Sequence, residues 1–308
     1  MVQALLYLLG GTLLTVFLQI AAGSLGLAGI FLNLLVPLPA AAAQIRKGAP
    51  VGAGIVLLTS ASLVPLGGMA AAAAYLLQFG LGSFVLPLLL RRGWAWDRAV
   101  AGALGVILLF SGVSLGGYVA YHGFPATAKV QEYVKHELDQ ALALYQKGNV
   151  PPDQALQLKK AAQQTAAFLA RTYPALAVVV SGVILLFLTL ALPRISSGTF
   201  ALPGVPFPYW KAPEALIWIL ILAGFGMVFT AGVLKTVVLN LLIVLLPVYF
   251  LQGMAIVSYY FRKRGISPMF RTLGYLLVTV LNPFPLIVTG IGVFDLWADF
   301  RKPRIKKT

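Results

Sequence analysis

Long apolar runs punctuated by short cationic stops constrain this chain more than anything else in it. Arg46-Lys47, Arg91-Arg92, Arg262-Lys263-Arg264 and a basic tail from Arg301 separate the runs. Most runs are near or above the ~20 residues that cross a bilayer as helix. The chain is 60% hydrophobic and 10% charged, with a mean hydropathy of +0.91. A water-soluble surface needs roughly a quarter charged residues. Strand-like alternation is missing, which argues against a membrane β-barrel. In lipid every backbone group must be bonded within the protein, and helices do this segment by segment. The sequence therefore predicts an all-α polytopic membrane protein with about 8–10 transmembrane helices and an extracytoplasmic helical hairpin.

A net charge of +15 raises the question of nucleic acid. Most of the cations sit in short loops and the tail beside apolar segments, where they set topology and attract anionic lipid heads. Nucleic acid is not expected as a partner; the lipid bilayer is. With no cysteine, the chain has no thiolate chemistry, disulfide or Cys-based metal site. The N-terminus has small residues at Ala21-Ala22-Gly23 but no positive n-region, and reads as a retained first helix.

The first helix is expected over residues 3–20 and the second up to Arg46-Lys47-Gly48, with Pro50 opening the third. If Arg46 and Arg91 share a side, the chain between them crosses twice, and Pro65-Leu66-Gly67-Gly68 is the natural turn. A further helix over 99–121 completes an N-terminal bundle of about five helices at 1–121. Residues 122–173 are the one sizeable hydrophilic stretch and read as an amphipathic helical hairpin outside the membrane, broken at Gly148-Asn149. Residues 174–300 form a C-terminal bundle: helices over 174–192, from Pro213-Glu214 to about 230, and over 236–260, then a last apolar run. Residues 301–308 are a basic tail. Arg262-Lys263-Arg264 and that tail satisfy the positive-inside rule together if the last run turns at Asn282-Pro283-Phe284-Pro285, as two short arms. A single kinked crossing is the alternative. On this count both termini are cytoplasmic.

Polar residues inside the apolar runs are few. Asn240, Gln252 and Asn282 are the candidate substrate-binding residues, as orienting hydrogen-bonders in a pocket for a small solute. The alternative is that these amides bond helix to helix. Lys235 is a candidate charge at an outer mouth or a snorkelling lysine. Asp295 and Asp299 are four apart, on one helical face at the cytoplasmic edge, with Arg301 and Lys302 beside them. They read as a solvated cap or a partner contact, with Asp299–Lys302 at pairing distance, and not as a catalytic pair. His122 and His136 have no third histidine to help them, so no metal is expected. No phosphate loop or nucleophile motif occurs, and neither catalytic residues nor a cofactor are expected.

Trp210-Lys211-Ala212-Pro213-Glu214, Asn240-Leu241-Leu242, Tyr249-Phe250-Leu251-Gln252-Gly253-Met254-Ala255 and Gly292-Val293-Phe294-Asp295 together resemble the YybS-type family of bacterial predicted membrane proteins, which carry a domain of unknown function (DUF2232). The resemblance implies a bacterial inner-membrane location and no established activity. That family is in turn distantly similar to the substrate-binding S components of energy-coupling-factor transporters, helical bundles that dock on a separate energising module. The analogy is at the level of fold, which does not establish function. Two expectations follow: a transport-related, small-solute-binding subunit with an energy-coupling partner, or a non-transporting scaffold with partners in the cell envelope.

Overall fold

Residues 2–123, 132, 152–196 and 200–302 are described by the structure, a computed structural model. The expected first arm of the hydrophilic hairpin lies outside them, apart from Glu132. Among the described residues all the regular structure is helical. The helices are α1 (Val2–Ser24), α2 (Gly29–Asn33), α3 (Leu38–Lys47), α4 (Ala49–Tyr75), α5 (Leu81–Arg91) and α6 (Trp96–His122), then α7 (Pro152–Ile195), α8 (Ala215–Phe229), α9 (Gly232–Lys263), α10 (Pro268–Val280) and α11 (Phe284–Ala298). Large apolar side chains such as Leu6, Leu13, Phe17, Leu222 and Phe229 are exposed, as lipid-facing residues are.

The chain packs as two units: Met1–Gly123 with Val180–Gly204, and Phe124–Val179 with Val205–Thr308. This grouping differs from a linear division at residues 121 and 173, because the end of α7 packs with the N-terminal helices.

In the N-terminal unit, α4 is interrupted at Gly68, which takes φ 75 and ψ −177. Only glycine enters that conformation without strain, and Pro65 has already removed one ladder donor. The chain reverses there. Tyr75 and Phe79 pack into the same core as Ile55 and Val56, and a methyl at Gly80 would stand 3.0 Å from Val56 Cγ1. Val56 and Gly80 are equally distant from Gly68 along the sequence, as partners across a helical hairpin must be. A π-turn at Leu76–Gly80 then leads into α5. The 43 residues of Ala49–Arg91 would measure about 65 Å if straight, twice a ~30 Å hydrocarbon core. Folding back fits them to it.

The cationic stops of this unit come together at one rim. Arg46 donates to the Ile195 carbonyl at the end of α7, and Arg91 Nη1 donates to the Gln44 carbonyl near the end of α3 (2.8 Å). These interactions place helix C-termini and their cations together, the favourable sign for the dipole.

In the C-terminal unit, α9 carries the packing. The boundary expected between residues 173 and 174 is not a break, since α7 runs for 44 residues through Pro174. α10 and α11 have 13 and 15 residues, about 20 and 22 Å, so neither spans the hydrocarbon core alone. They meet at a bend of 97°. Tyr260, near the end of α9, donates its hydroxyl to the Phe300 carbonyl (2.7 Å). The chain that leaves α9 at Lys263 thus returns to the same level by Phe300. This is the two-arm form, turned at Asn282-Pro283 and opened to nearly a right angle.

Six helices among the described residues are long and apolar enough to cross a membrane, or seven spans with the bent pair counted as one. That count takes the two arms of Ala49–Arg91 as one helix and leaves out α8, which has 15 residues.

Candidate functional site

In the C-terminal unit, the extended connector after the 3₁₀ turn Phe207–Tyr209 meets the polar positions of α9 and α11. Gln252 is buried on α9. Its Oε1 accepts from the Ala212 backbone N–H (3.0 Å), and its Nε2 donates to Asp295 Oδ2 (3.1 Å). Asp295 lies in the last turn of α11, fully buried. It is ion-paired with Arg301, whose side chain is 5% exposed. Arg301 Nη1 also donates to the carbonyls of Trp210 (2.7 Å) and Pro208 (3.2 Å). The Phe300 N–H donates to Asp295 Oδ1 (3.1 Å).

The local backbone makes this possible. α11 ends at Ala298, and Asp299 takes a left-handed conformation (φ 39) with its N–H on the Asp295 carbonyl. The chain turns back on itself, so a residue six positions beyond Asp295 reaches its carboxylate. The carboxylate thus accepts from an amide, a guanidinium and a backbone N–H. Such satisfaction is what lets a buried ion pair persist, because desolvation otherwise outweighs the Coulomb gain. We refer to Gln252, Asp295 and Arg301 as the latch.

Two glycines bring α9 and α11 close enough for it. A methyl at Gly253 would overlap the Val288 carbonyl, and one at Gly292 would overlap the Tyr249 carbonyl. Backbones that approach this closely need small residues at the crossing. At the exposed edge, Asp299 pairs with Lys302 (3.0 Å) and Lys211 (3.1 Å). Hydrogen bonds from Lys302 and then Lys211 hold its carboxyl below the usual carboxylate range.

Asn240 sits elsewhere on α9, about 18 Å from Gln252 along the helix axis. Its Oδ1 accepts from the Ala175 N–H (3.1 Å), and its Nδ2 donates to the carbonyls of Arg171 (2.9 Å) and Thr236 (2.8 Å). Ala175 and Arg171 are four apart and would normally bond to each other. Pro174 lacks an N–H and crowds the preceding turn. The Asn240 amide is inserted into the opened ladder as a splint. This explains why α7 continues through Pro174.

The structure therefore brings Gln252 together with Asp295 and Lys211 together with Asp299. It does not gather Asn240, Gln252 and Asn282 into one pocket. Asn282 is exposed in the turn before Pro283, and Lys235 is exposed in the first turn of α9. The expectation of a solvated Asp295–Asp299 face is corrected, since Asp295 is buried and Asp299 lies outside the helix. Sequence reasoning placed Arg301 beside these acids but missed its place inside the latch, and missed Ala212 and Trp210 as backbone partners. The available signal was a carboxylate within an apolar run with an arginine just beyond the helix end. Among the described residues, no three His, Asp or Glu side chains converge as metal ligands would.

Long apolar helices with lipid-facing side chains and inward-turned polar groups define a polytopic helical membrane protein. More narrowly, the chain belongs to the predicted membrane protein family DUF2232, whose model matches residues 13–296. No curated protein and no solved structure matches it.

Proposed function

We propose that the chain is a non-enzymatic scaffold of the bacterial cytoplasmic membrane, which positions partner proteins of the cell envelope. One observation carries this reading. Both amides best placed to hold a solute are engaged at both ends by their own chain: Asn240 splints α7, and Gln252 joins the connector to Asp295. Amides used this way set helix positions, and positioned helices are what a scaffold supplies. The latch fixes the connector against the ends of α9 and α11, so Lys211, Asp299 and Lys302 are held at one edge as a ready contact.

The second reading is a transport-related subunit that binds a small solute, as the S components do. It has one observation on its side: Arg301 Nε is buried without a protein acceptor, so the latch keeps one donor in hand.

The test is gentle purification of the full chain from its native membrane, with mass spectrometry of both the small-molecule extract and the co-purifying proteins. The scaffold reading expects envelope proteins in fixed ratio, reduced by Lys211→Ala combined with Lys302→Ala. A stoichiometric small solute that disappears in Gln252→Ala would overturn it and establish the solute-binding subunit.

A further inference from the structure

The N-terminal unit carries an open groove of about 340 Å³ between α1 and α3. Its lining is almost wholly apolar and its floor is small: Leu6, Gly10 and Leu14 face it from one side and Ala42 from the other. From Leu6 to Leu14 it extends for about 12 Å along the helix. One end is cationic. Arg46 lines it, donating to the Tyr7 hydroxyl (3.1 Å) and to the Ile195 carbonyl. Lys47 follows, exposed, with its Nζ 5.1 Å from the centre of the Tyr7 ring.

We propose that this groove is a binding site for one anionic glycerophospholipid. An acyl chain would lie along the Gly10 floor, with the phosphodiester head at Arg46 and Lys47. Three observations meet here. The wall is open and faces outward among residues that are themselves lipid-facing, such as Leu5, Leu9 and Leu13. Its length and apolar lining suit a hydrocarbon chain. The charge is at the end, where a head group would be, and it has the opposite sign to a phosphodiester. Arg46 is also prepared for the task. Two of its five N–H donors hold it against Tyr7 and Ile195, which fixes the guanidinium and leaves the others for a phosphate. Arg91, bonded to the Gln44 carbonyl, adds to the positive rim, and cations near a membrane surface favour anionic lipid by about 1 kcal/mol each. This inference concerns a different unit from the latch and stands whether or not the scaffold reading holds.

The geometry supplies a clean pair of variants. A Cβ at Gly10 would meet no atom within 4 Å, and Gly10 lines the groove, so Gly10→Leu adds bulk there without a clash at its Cβ. Gly105, on α6 in the same unit, is equally open, so Gly105→Leu adds the same bulk away from the groove. The experiment is native mass spectrometry of the full chain in detergent, titrated with phosphatidylglycerol and, separately, phosphatidylcholine. Preferential retention of a single phosphatidylglycerol is expected. Arg46→Gln should weaken it about fivefold, the effect of removing one cation beside the head. Gly10→Leu should abolish it, and Gly105→Leu should leave it unchanged. Helical circular dichroism verifies that each variant is folded. Equal retention of the two lipids would overturn the proposal. So would retention by folded Gly10→Leu, or equal loss in Gly105→Leu, which would mark an unspecific lipid shell.

Discussion

The two units handle charge in opposite ways. In the N-terminal unit the cations stay at the rim: Arg46, Lys47, Arg91 and Arg92 lie where helices end, over a core of Val36, Ile55, Tyr75 and Phe79. The C-terminal unit takes a carboxylate and a guanidinium inside, where Asp295 and Arg301 hold a connector and two helices together. A rim cation orients a segment and tolerates replacement, because water and lipid heads can satisfy it. A buried pair is conditional on every partner. The lesson is that net charge says little in a membrane chain until it is known which charges have left water.

The largest expected effect breaks the contrast at its strong end. Asp295→Asn or Arg301→Ala should destabilise the protein by about 3–5 kcal/mol, because each leaves a buried charge uncompensated. Denaturant titration in detergent would measure this. Arg92→Gln, at the rim of the other unit, should stay within roughly 0.5 kcal/mol. Asp295→Leu combined with Arg301→Met should recover most of the loss, as apolar replacements of buried pairs do. Harmless single variants would show that the pair does not hold the connector.

The next effect concerns the crossing that shelters the pair. Gly292→Ala should cost about 1–3 kcal/mol by forcing α9 and α11 apart. Gly290→Ala, where the added methyl meets open space, should be neutral or slightly stabilising. The same titration ranks the two.

Smaller still is the splint. Asn240→Ala should cost about 0.6–2 kcal/mol, but much less in a Pro174→Ala background, where Ala175 can bond Arg171 again. A double-mutant cycle reads that coupling directly, and additive losses would sink the splint.

The smallest effect is at the exposed edge. The folded-state pKa of Asp299 is lowered, first by Lys302 and then by Lys211. Its contribution is therefore fully present above the ordinary carboxylate range and is lost as pH falls through the lower folded value. Lys211→Ala should flatten that acid limb slightly, as a pH series of unfolding midpoints would record. Screening keeps the effect slight.

How much of this could be read beforehand follows from range along the chain. The reversal at Pro65–Gly68 is encoded by adjacent residues, and the structure turns there. The return of the last run to the level of Arg262 follows from charge placement, which a sequence displays openly. Asn240 and Gln252 stand out as polar residues in apolar helices, where such amides either bond helix to helix or line a pocket. Their partners do not stand out. Ala175, Arg171 and Ala212 contribute backbone groups, and a backbone group has no letter of its own. Arg301 was hidden differently. Helical spacing suggested Asp299–Lys302, which does form (3.0 Å), but the left-handed turn at Asp299 delivers Arg301 to Asp295 outside any helical rule.

The turn at Gly68 has a consequence for how this sequence can change over time. The two arms meet through partners counted outward from one residue, so their register is fixed by number. A single residue added between Gly68 and Tyr75 would rotate everything beyond it by about 100° around the helix axis. Tyr75 and Phe79 would swing out of the core into lipid, and the cations at Arg91-Arg92 would move with them. Substitutions in this stretch can be graded, but insertions and deletions cannot, so variation in length should collect elsewhere.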